Sequence, residues 1–314
     1  MEIPITQSKE WLVLQQDLKE KSVYVDEKDY KYLAIIKSTP VGNYLYLPYG
    51  PVYKDEIAFQ KALDSLKQIA ATHQAIFIRI EPRDKNFTEY LPKNTKKTKD
   101  LNPKETWVLD LKGTDEQLTK KLPSRLLRYY KGAAKKGITI EKSNNPDDII
   151  HLLRLQQELA KEKGISTFSE NYLKTELSQP FATLYLVKYK NEEMDRQEIV
   201  AAGLVFDDKT TRYNLQGAQN DTGRSLHATG ILTIQLIKDA KEKGLKTFDF
   251  WGIAPEGAPR SHPWAGFTNF KKTFDGYEKD YAGTYDVIMS LIRYHLYTFF
   301  RRLNKIKRNN HARN

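Results

Sequence analysis

The 314-residue chain contains no cysteine. That absence excludes disulfides, thiol nucleophiles and zinc–thiolate sites together, and it fits a cytoplasmic setting. Histidine is scarce too. His73, His151, His227, His262, His295 and His311 show neither HxH nor HxxxH spacing, so no metal site is expected. No apolar run approaches the ~20 residues that span a bilayer. Residues 1–11 lack the basic and apolar segments of a signal peptide. Neither a GxxxxGK-S/T phosphate loop nor a nucleophile elbow is found.

What is present describes a folded, basic protein. Hydrophobic residues make up 39% of the chain and aromatics 11%, with 19 tyrosines, which is enough to build a core. The length suits two ordinary domains or one large one. The formal net charge of +11 favours polyanionic partners: nucleic acid, anionic lipid head groups or phosphorylated substrates. A uniformly lysine-rich proteome is the plain alternative.

Periodicity and punctuation predict a mixed α/β chain. Residues 7–21 read as a helix capped by Ser8. Strands are expected at 22–25, 30–37 and 44–47, then an amphipathic helix at 54–72 with Ile57, Leu63, Leu66 and Ile69 on its apolar side. A buried strand at 75–80 stops at Glu81-Pro82. Residues 84–104 form a polar loop, followed by a strand at 107–111. One or two basic helices at 114–136 break at Pro123, with Thr114 as N-cap. A strand at 138–141, helices at 147–163 and 169–177, and strands at 181–189, 198–206 and 211–215 come next. A loop at 217–225 leads into a helix at 226–243 that closes at Gly244, and a strand follows at 247–253. This order matches an acetyltransferase-like (GNAT-type) layout. A shorter version of it in the first third suggests two copies of one fold. The expected domains are residues 1–110, completed by a basic C-terminal helix over 286–314, and residues 111–285.

One stretch stands out, TFDFWGIAPEGAPRSHPWAGFTNFKKTFDGYEKDYAGTY, starting at Thr247. A buried strand leads into a Pro/Gly-rich loop over 254–263, then a short helix, then a β-type run at 281–285. Phe267, Phe270 and Phe274, at i, i+3 and i+7, are expected on one face of that helix. Lys271 follows the middle aromatic.

The strings YLYLPYGP (44–51), IRIEP (78–82), TWVLDL (106–111), AAGLV (201–205), FDFWGI (248–253) and GFTNFKKTF (266–274) occur in this order. As an ordered set they make the chain similar to the Fem-type (FemA/FemB/FemX) peptidoglycan interpeptide-bridge aminoacyltransferases, in the short FemX-like form without a coiled-coil arm. The resemblance covers nearly the whole chain. It implies two GNAT-like domains in tandem. It also implies an enzyme that moves an amino acid from aminoacyl-tRNA to the stem-peptide amine of a peptidoglycan precursor, either UDP-MurNAc-pentapeptide or lipid II. No cofactor is needed beyond aminoacyl-tRNA as co-substrate. A cytoplasmic monomer is expected, and its basic, aromatic C-terminal helix could bind tRNA, make peripheral contact with anionic lipid at the inner membrane surface, or simply dock with a frayed basic tail. An acyl-coenzyme A N-acyltransferase and a non-catalytic tRNA- or precursor-binding protein are the alternatives.

The resemblance puts Lys271 at the oxyanion of the acyl-transfer step, with Phe270 shaping its slot; otherwise its stem merely covers the Phe267/Phe274 face. Glu81 becomes a candidate acceptor for the attacking amine, against a strand-end salt bridge. Arg79, Tyr49 and Tyr213 are candidate substrate contacts, and half-buried tyrosines need no further role. Arg125 and Arg128 lead a basic helical cluster with Lys131, Lys135 and Lys136 that could hold a tRNA acceptor stem or a diphosphate, or form a solvated face. Arg224, in a loop lacking the Gln/Arg-x-x-Gly-x-Gly/Ala pattern of coenzyme A enzymes, could meet a substrate phosphate or belong to a polar turn.

Overall fold

The computed structural model describes residues 1–163, 167–191 and 196–311, apart from the side chains of 162, 163, 191 and 304–311. Its elements in chain order are α1 (Lys9–Asp17), β1 (Ser22–Asp26), β2 (Tyr30–Thr39), β3 (Gly42–Leu47), β4 (Val52–Tyr53), α2 (Glu56–Thr72), β5 (Ala75–Ile80) and β6 (Thr95–Lys97). Next come β7 (Glu105–Asp110), α3 (Asp115–Lys121), α4 (Ser124–Gly132), β8 (Ile138–Ser143), α5 (Ile149–Lys163), α6 (Glu170–Leu177), β9 (Ala182–Asn191), β10 (Arg196–Asp207) and β11 (Thr211–Gln219). The last are α7 (Asp221–Ser225), α8 (Ala228–Glu242), β12 (Thr247–Gly252), α9 (Ala265–Lys271), β13 (Tyr277–Asp280), β14 (Tyr285–Ile288) and α10 (Leu291–His311).

The chain forms two compact units, Met1–Lys104 with Tyr281–Asn314, and Glu105–Asp280. Each holds a seven-stranded sheet. In the first, the order is β1-β2-β3-β5-β14-β6, with β4 beside β2; in the second it is β13-β7-β12-β11-β10-β9-β8. Both sheets follow one plan. An antiparallel meander ends in a strand that runs parallel to the next one, β3 to β5 and β11 to β12. A helical crossover joins each parallel pair, as parallel strands require: α2 in the first unit, α7 and α8 in the second. An antiparallel strand then closes the pair, β14 against β5 and β7 against β12. These are two GNAT-like units in tandem.

The closing strands explain where the observed bounds depart from the expected ones. β7 follows the first unit in sequence but belongs to the second sheet, so the division falls at 104/105 and not at 110/111. The run expected at 281–285 is strand only at Tyr285: residues 281–284 link β13 to β14. β13 pairs with β7 in the second unit, and β14 pairs with β5 in the first.

Local chemistry sets the elements. Ser8 caps α1 by accepting from the Trp11 N–H, and Asp55 caps α2 through the Ala58 N–H. Thr114 and Gln117 form a reciprocal capping box on α3. α2 packs Phe59, Leu63 and Leu66 against Leu45, Ile78 and Ile80, and buries them almost completely. Ile57, expected on that side, is 69% exposed because it lies in the first turn, outside the stripe. A separate small cluster of Ile76, Phe77, Ile288 and Tyr294 seats α10 on β5 and β14. In the second unit α4 packs on α8, and Phe248, Phe250 and Phe274 join the main core. The loop expected at 217–225 is shorter, since β11 runs to Gln219 and Asn220 caps α7 by accepting from the Gly223 N–H.

Candidate active site

In the second unit, β11 and β12 pair only where Thr211, Arg212 and Tyr213 meet Thr247, Phe248 and Asp249. Both strands run on beyond that point, so the parallel pair opens. On its other edge β12 carries a bulge. Asp249 faces Val108 of β7, but the next paired residue is Gly252, opposite Thr106. Two residues of one strand thus oppose one of the other. Trp251 takes a left-handed backbone (φ 67°), rare for a side chain of its size. The Asp249 carboxylate supports it, accepting from the Trp251 N–H at 2.7 Å and from the Thr106 hydroxyl at 3.3 Å.

α9 stands against this strand end. Its buried anchor is Thr268, whose hydroxyl accepts from the Ala254 N–H and donates to the Trp264 carbonyl, both at 2.8 Å. The expected Phe267/Phe270/Phe274 face does not form. α9 ends at Lys271, Phe267 is 48% exposed, and Phe274 is fully buried in the turn beyond the helix. Phe270 does pack edge-to-face on Phe274, at 5.6 Å between ring centres.

Lys271 is half-buried, and its Nζ donates to the Gly252 carbonyl at 2.6 Å. Burial lowers its pKa to about 8, with Asp249 pulling the other way. Among the described residues no carboxylate forms an ion pair with it. One of the three ammonium donors is engaged by Gly252. Lys272 is the ordinary surface counterpart, exposed, over the Trp107 ring and paired with Glu278 at 3.6 Å.

A second feature of this unit lies on α4. Arg125 and Arg128 are exposed, as are Lys131, Lys135 and Lys136, and none of the five pairs with a carboxylate among the described residues. Three of them gather around a ring. Arg125 Nε donates to the Tyr129 hydroxyl at 2.9 Å, and Arg125, Arg128 and Lys136 lie 5.5, 5.9 and 6.0 Å from its centre. The Arg125 hydrogen bond lowers the Tyr129 pKa. Tyr129 stacks on His227 with ring centres 4.3 Å apart and planes 5° from parallel. Sequence spacing identified the cations but not the platform, because His227 reaches it from the N-cap of α8.

Of the other candidates in this unit, Tyr213 is buried, donates to Asp208 at 2.8 Å and meets Trp251 edge-on. It supports the bulged strand and does not line an open groove. Arg224 is ion-paired with Asp221 on α7.

In the first unit, Arg79 is corrected from substrate contact to structural cation. It is 2% exposed, and its Nε and Nη2 donate to the two oxygens of Asp286 at 2.7 and 2.8 Å. The two residues face each other across β5 and β14. Tyr294 of α10 donates to the same carboxylate at 3.0 Å, and the Phe77 and Tyr44 rings cover the guanidinium.

Glu81 is buried but forms no strand-end salt bridge among the described residues. Its Oε1 accepts from the Thr284 hydroxyl at 2.8 Å and from the Leu101 and Asn102 N–H groups, each at 3.3 Å. Its Oε2 accepts from Tyr46 at 3.0 Å and the Asn102 amide at 2.7 Å. Five donors exceed the roughly four lone-pair sites of a carboxylate, so no acceptor capacity is left for an incoming amine. Glu81 instead fixes one wall of a small cleft with room for about one water molecule, lined also by Tyr49, Asn102, Lys104, Tyr281 and Thr284. Tyr49 is buried, donates to the Pro103 carbonyl at 2.8 Å and packs edge-on against Tyr281. Asn102 is the residue that sequence reading missed here; nothing in its polar loop distinguished it from its neighbours. Among the described residues no cluster of three or more His, Asp or Glu could hold a metal. No described helix is long and apolar enough to cross a membrane.

The tandem GNAT-like units set a desolvated cation, Lys271, beside the end of β12. Residues 173–302 match the FemAB family. A crystal structure of FemX superposes with a TM-score of 0.78 at 18% identity, covering 93% of this chain and 94% of that one. The chain is thus similar to the FemAB family over residues 173–302 and shares its fold with FemX. Two other folds are similar. L-PGS from Bacillus licheniformis has a TM-score of 0.56 at 14% identity, covering 97% and 99% of the two chains. The C-terminal domain of a putative lysylphosphatidylglycerol synthetase from Agrobacterium fabrum has a TM-score of 0.59 at 15% identity, covering 89% and 87%. No curated protein sequence matches the chain significantly.

Proposed function

We propose that the protein transfers an amino acid from aminoacyl-tRNA to the stem-peptide amine of a peptidoglycan precursor, UDP-MurNAc-pentapeptide or lipid II. The observation that carries this reading is Lys271: an ammonium drawn out of water, without a carboxylate ion pair among the described residues, fixed at the end of β12 by the Gly252 carbonyl. In the reaction the acceptor amine attacks the ester carbonyl of the aminoacyl group. Negative charge grows on the carbonyl oxygen, the ester C–O bond breaks, and the proton released by the amine ends on the leaving ribose hydroxyl. A fixed cation near that oxygen lowers the barrier by about 3–4 kcal/mol if it behaves as a typical oxyanion donor. A pKa of about 8 keeps Lys271 mostly charged at neutral pH. Phe270 holds its position from the core side.

The Tyr129–His227 stack suits a nucleobase and its cationic rim the adjoining phosphates, so α4 takes the acceptor end of the tRNA. The reading needs no metal or cofactor and places a monomer in the cytoplasm.

The test is incubation with a charged tRNA pool and UDP-linked muropeptide, followed by mass spectrometry. A gain of one amino-acid residue on the muropeptide is expected. Acyl transfer from acetyl-coenzyme A with no gain from charged tRNA would overturn the reading.

A further inference from the structure

α10 is anchored by one face only. Tyr294 and Tyr297 pack on Phe77 with ring centres 5.4 and 4.9 Å apart, and Tyr294 is 5% exposed. The opposite face is apolar and open. Ile292, Leu296, Phe299 and Leu303 are 77%, 45%, 56% and 39% exposed, with Phe300 beside them at 45%. Their spacing of four, three and four residues puts them in one stripe along the helix. A stripe this long on a soluble surface marks an interaction site, since isolated exposed apolar residues do not line up in this way.

Charge decides the occupant. At 100° per residue, Arg293 and Arg302 lie on opposite flanks of the stripe, and both are exposed. After Asp286 the chain contains seven Lys and Arg residues and no Asp or Glu. A second copy pairing stripe to stripe would bring two all-basic helices together. A surface that is apolar below and anionic above matches both the stripe and its rim.

We propose that α10 is an interfacial helix that lays its Ile292–Leu303 stripe into an anionic lipid bilayer, with Arg293 and Arg302 at the head groups. The stripe belongs to the first unit, whereas Lys271 and α4 belong to the second, and the proposal stands whichever acceptor the enzyme uses. Docking in this way would bring the enzyme to lipid-linked substrates.

The test is flotation of the full-length protein with vesicles of phosphatidylcholine alone or with about 30% phosphatidylglycerol, without tRNA or precursor, so the outcome does not depend on transfer activity. Wild type is expected to bind the anionic vesicles at least tenfold more than the neutral ones. Leu296→Glu/Phe299→Glu is expected to lose at least tenfold. So is Ile292→Glu, at a position too exposed to affect folding. Arg293→Gln/Arg302→Gln should weaken binding to anionic vesicles alone. Equal binding by wild type and the Glu variants would overturn the proposal. So would a wild-type dimer in sedimentation that the Glu variants dissociate while vesicle binding is unchanged.

Discussion

Arg79 and Lys271 are both cations taken out of water, and they differ in what compensates them. Arg79 meets a bidentate carboxylate, with a tyrosine hydroxyl on one of the same oxygens, and against desolvation the Asp286 bonds hold its pKa above the ordinary value. Lys271 meets a single carbonyl and drops to about 8. The first arrangement joins β5, β14 and α10 and leaves nothing for a ligand. The second leaves an under-compensated charge, which is what a growing oxyanion needs. Burial alone therefore does not separate a fully paired cation from one with donors to spare; the partner does.

The largest expected effect comes from breaking the paired cation. Asp286→Ala leaves Arg79 buried and alone, and unfolding in urea should show a loss of about 3–5 kcal/mol. A loss under 1 kcal/mol would mean that the pair is not the tie described. Lys271→Met should divide stability from activity. Because the folded pKa is depressed from 10.5 to about 8, the fold disfavours the charged form. Stability should thus rise with pH between those values, and the Met variant should melt no lower than wild type at pH 7, with its advantage shrinking as pH approaches 10. Single-turnover transfer should fall roughly 10²–10³-fold. A variant that unfolds yet transfers normally once refolded would reverse the assignment.

Glu176 is the acidic counterpart of Lys271 and sharpens the comparison. It is 3% exposed, and burial raises its pKa from 4.5 to about 7, against hydrogen bonds from Tyr172 and Gln216. The folded state therefore binds the extra proton. The stability gained below pH 4.5 should be lost as pH rises to about 7, on the order of 3 kcal/mol in all. Glu176→Gln should abolish that slope in thermal melts; an unchanged slope would place the titration elsewhere. The smallest effect belongs to the solvated cations. Arg125→Gln/Arg128→Gln should weaken tRNA binding uniformly and lower the salt slope by about 1–2. An unchanged slope would leave α4 an ordinary surface helix.

Much of the fold was legible because its elements are punctuated locally. Ser8, Thr114 and Gly244 end or begin helices by chemistry that acts within a turn, and the strand–helix–strand crossover follows from order alone. The closing strands were not legible, since β7 and β14 pair with strands far away in sequence and their periodicity does not say with which. At the site, Lys271 stood out through its place among ordered strings. Its surroundings did not. The bulge at Trp251, the Thr268 anchor and the Tyr129–His227 stack each depend on residues brought together by the sheet. Arg79 and Glu81 misled for the same reason: a polar pair at a strand end looks available until Asp286, Asn102 and Thr284 are in place.

The central claim is that Lys271 works as a cation. The measurement that tests it most directly is the ratio of wild-type to Lys271→Arg single-turnover transfer rates across pH 6.5–9.5, in which titration of the acceptor amine cancels. The account predicts a ratio that is flat below about pH 8 and falls up to tenfold per unit above it, as wild type loses the charge that arginine keeps. A ratio that rises through pH 8 would show that the neutral amine is the active form, and would contradict the account.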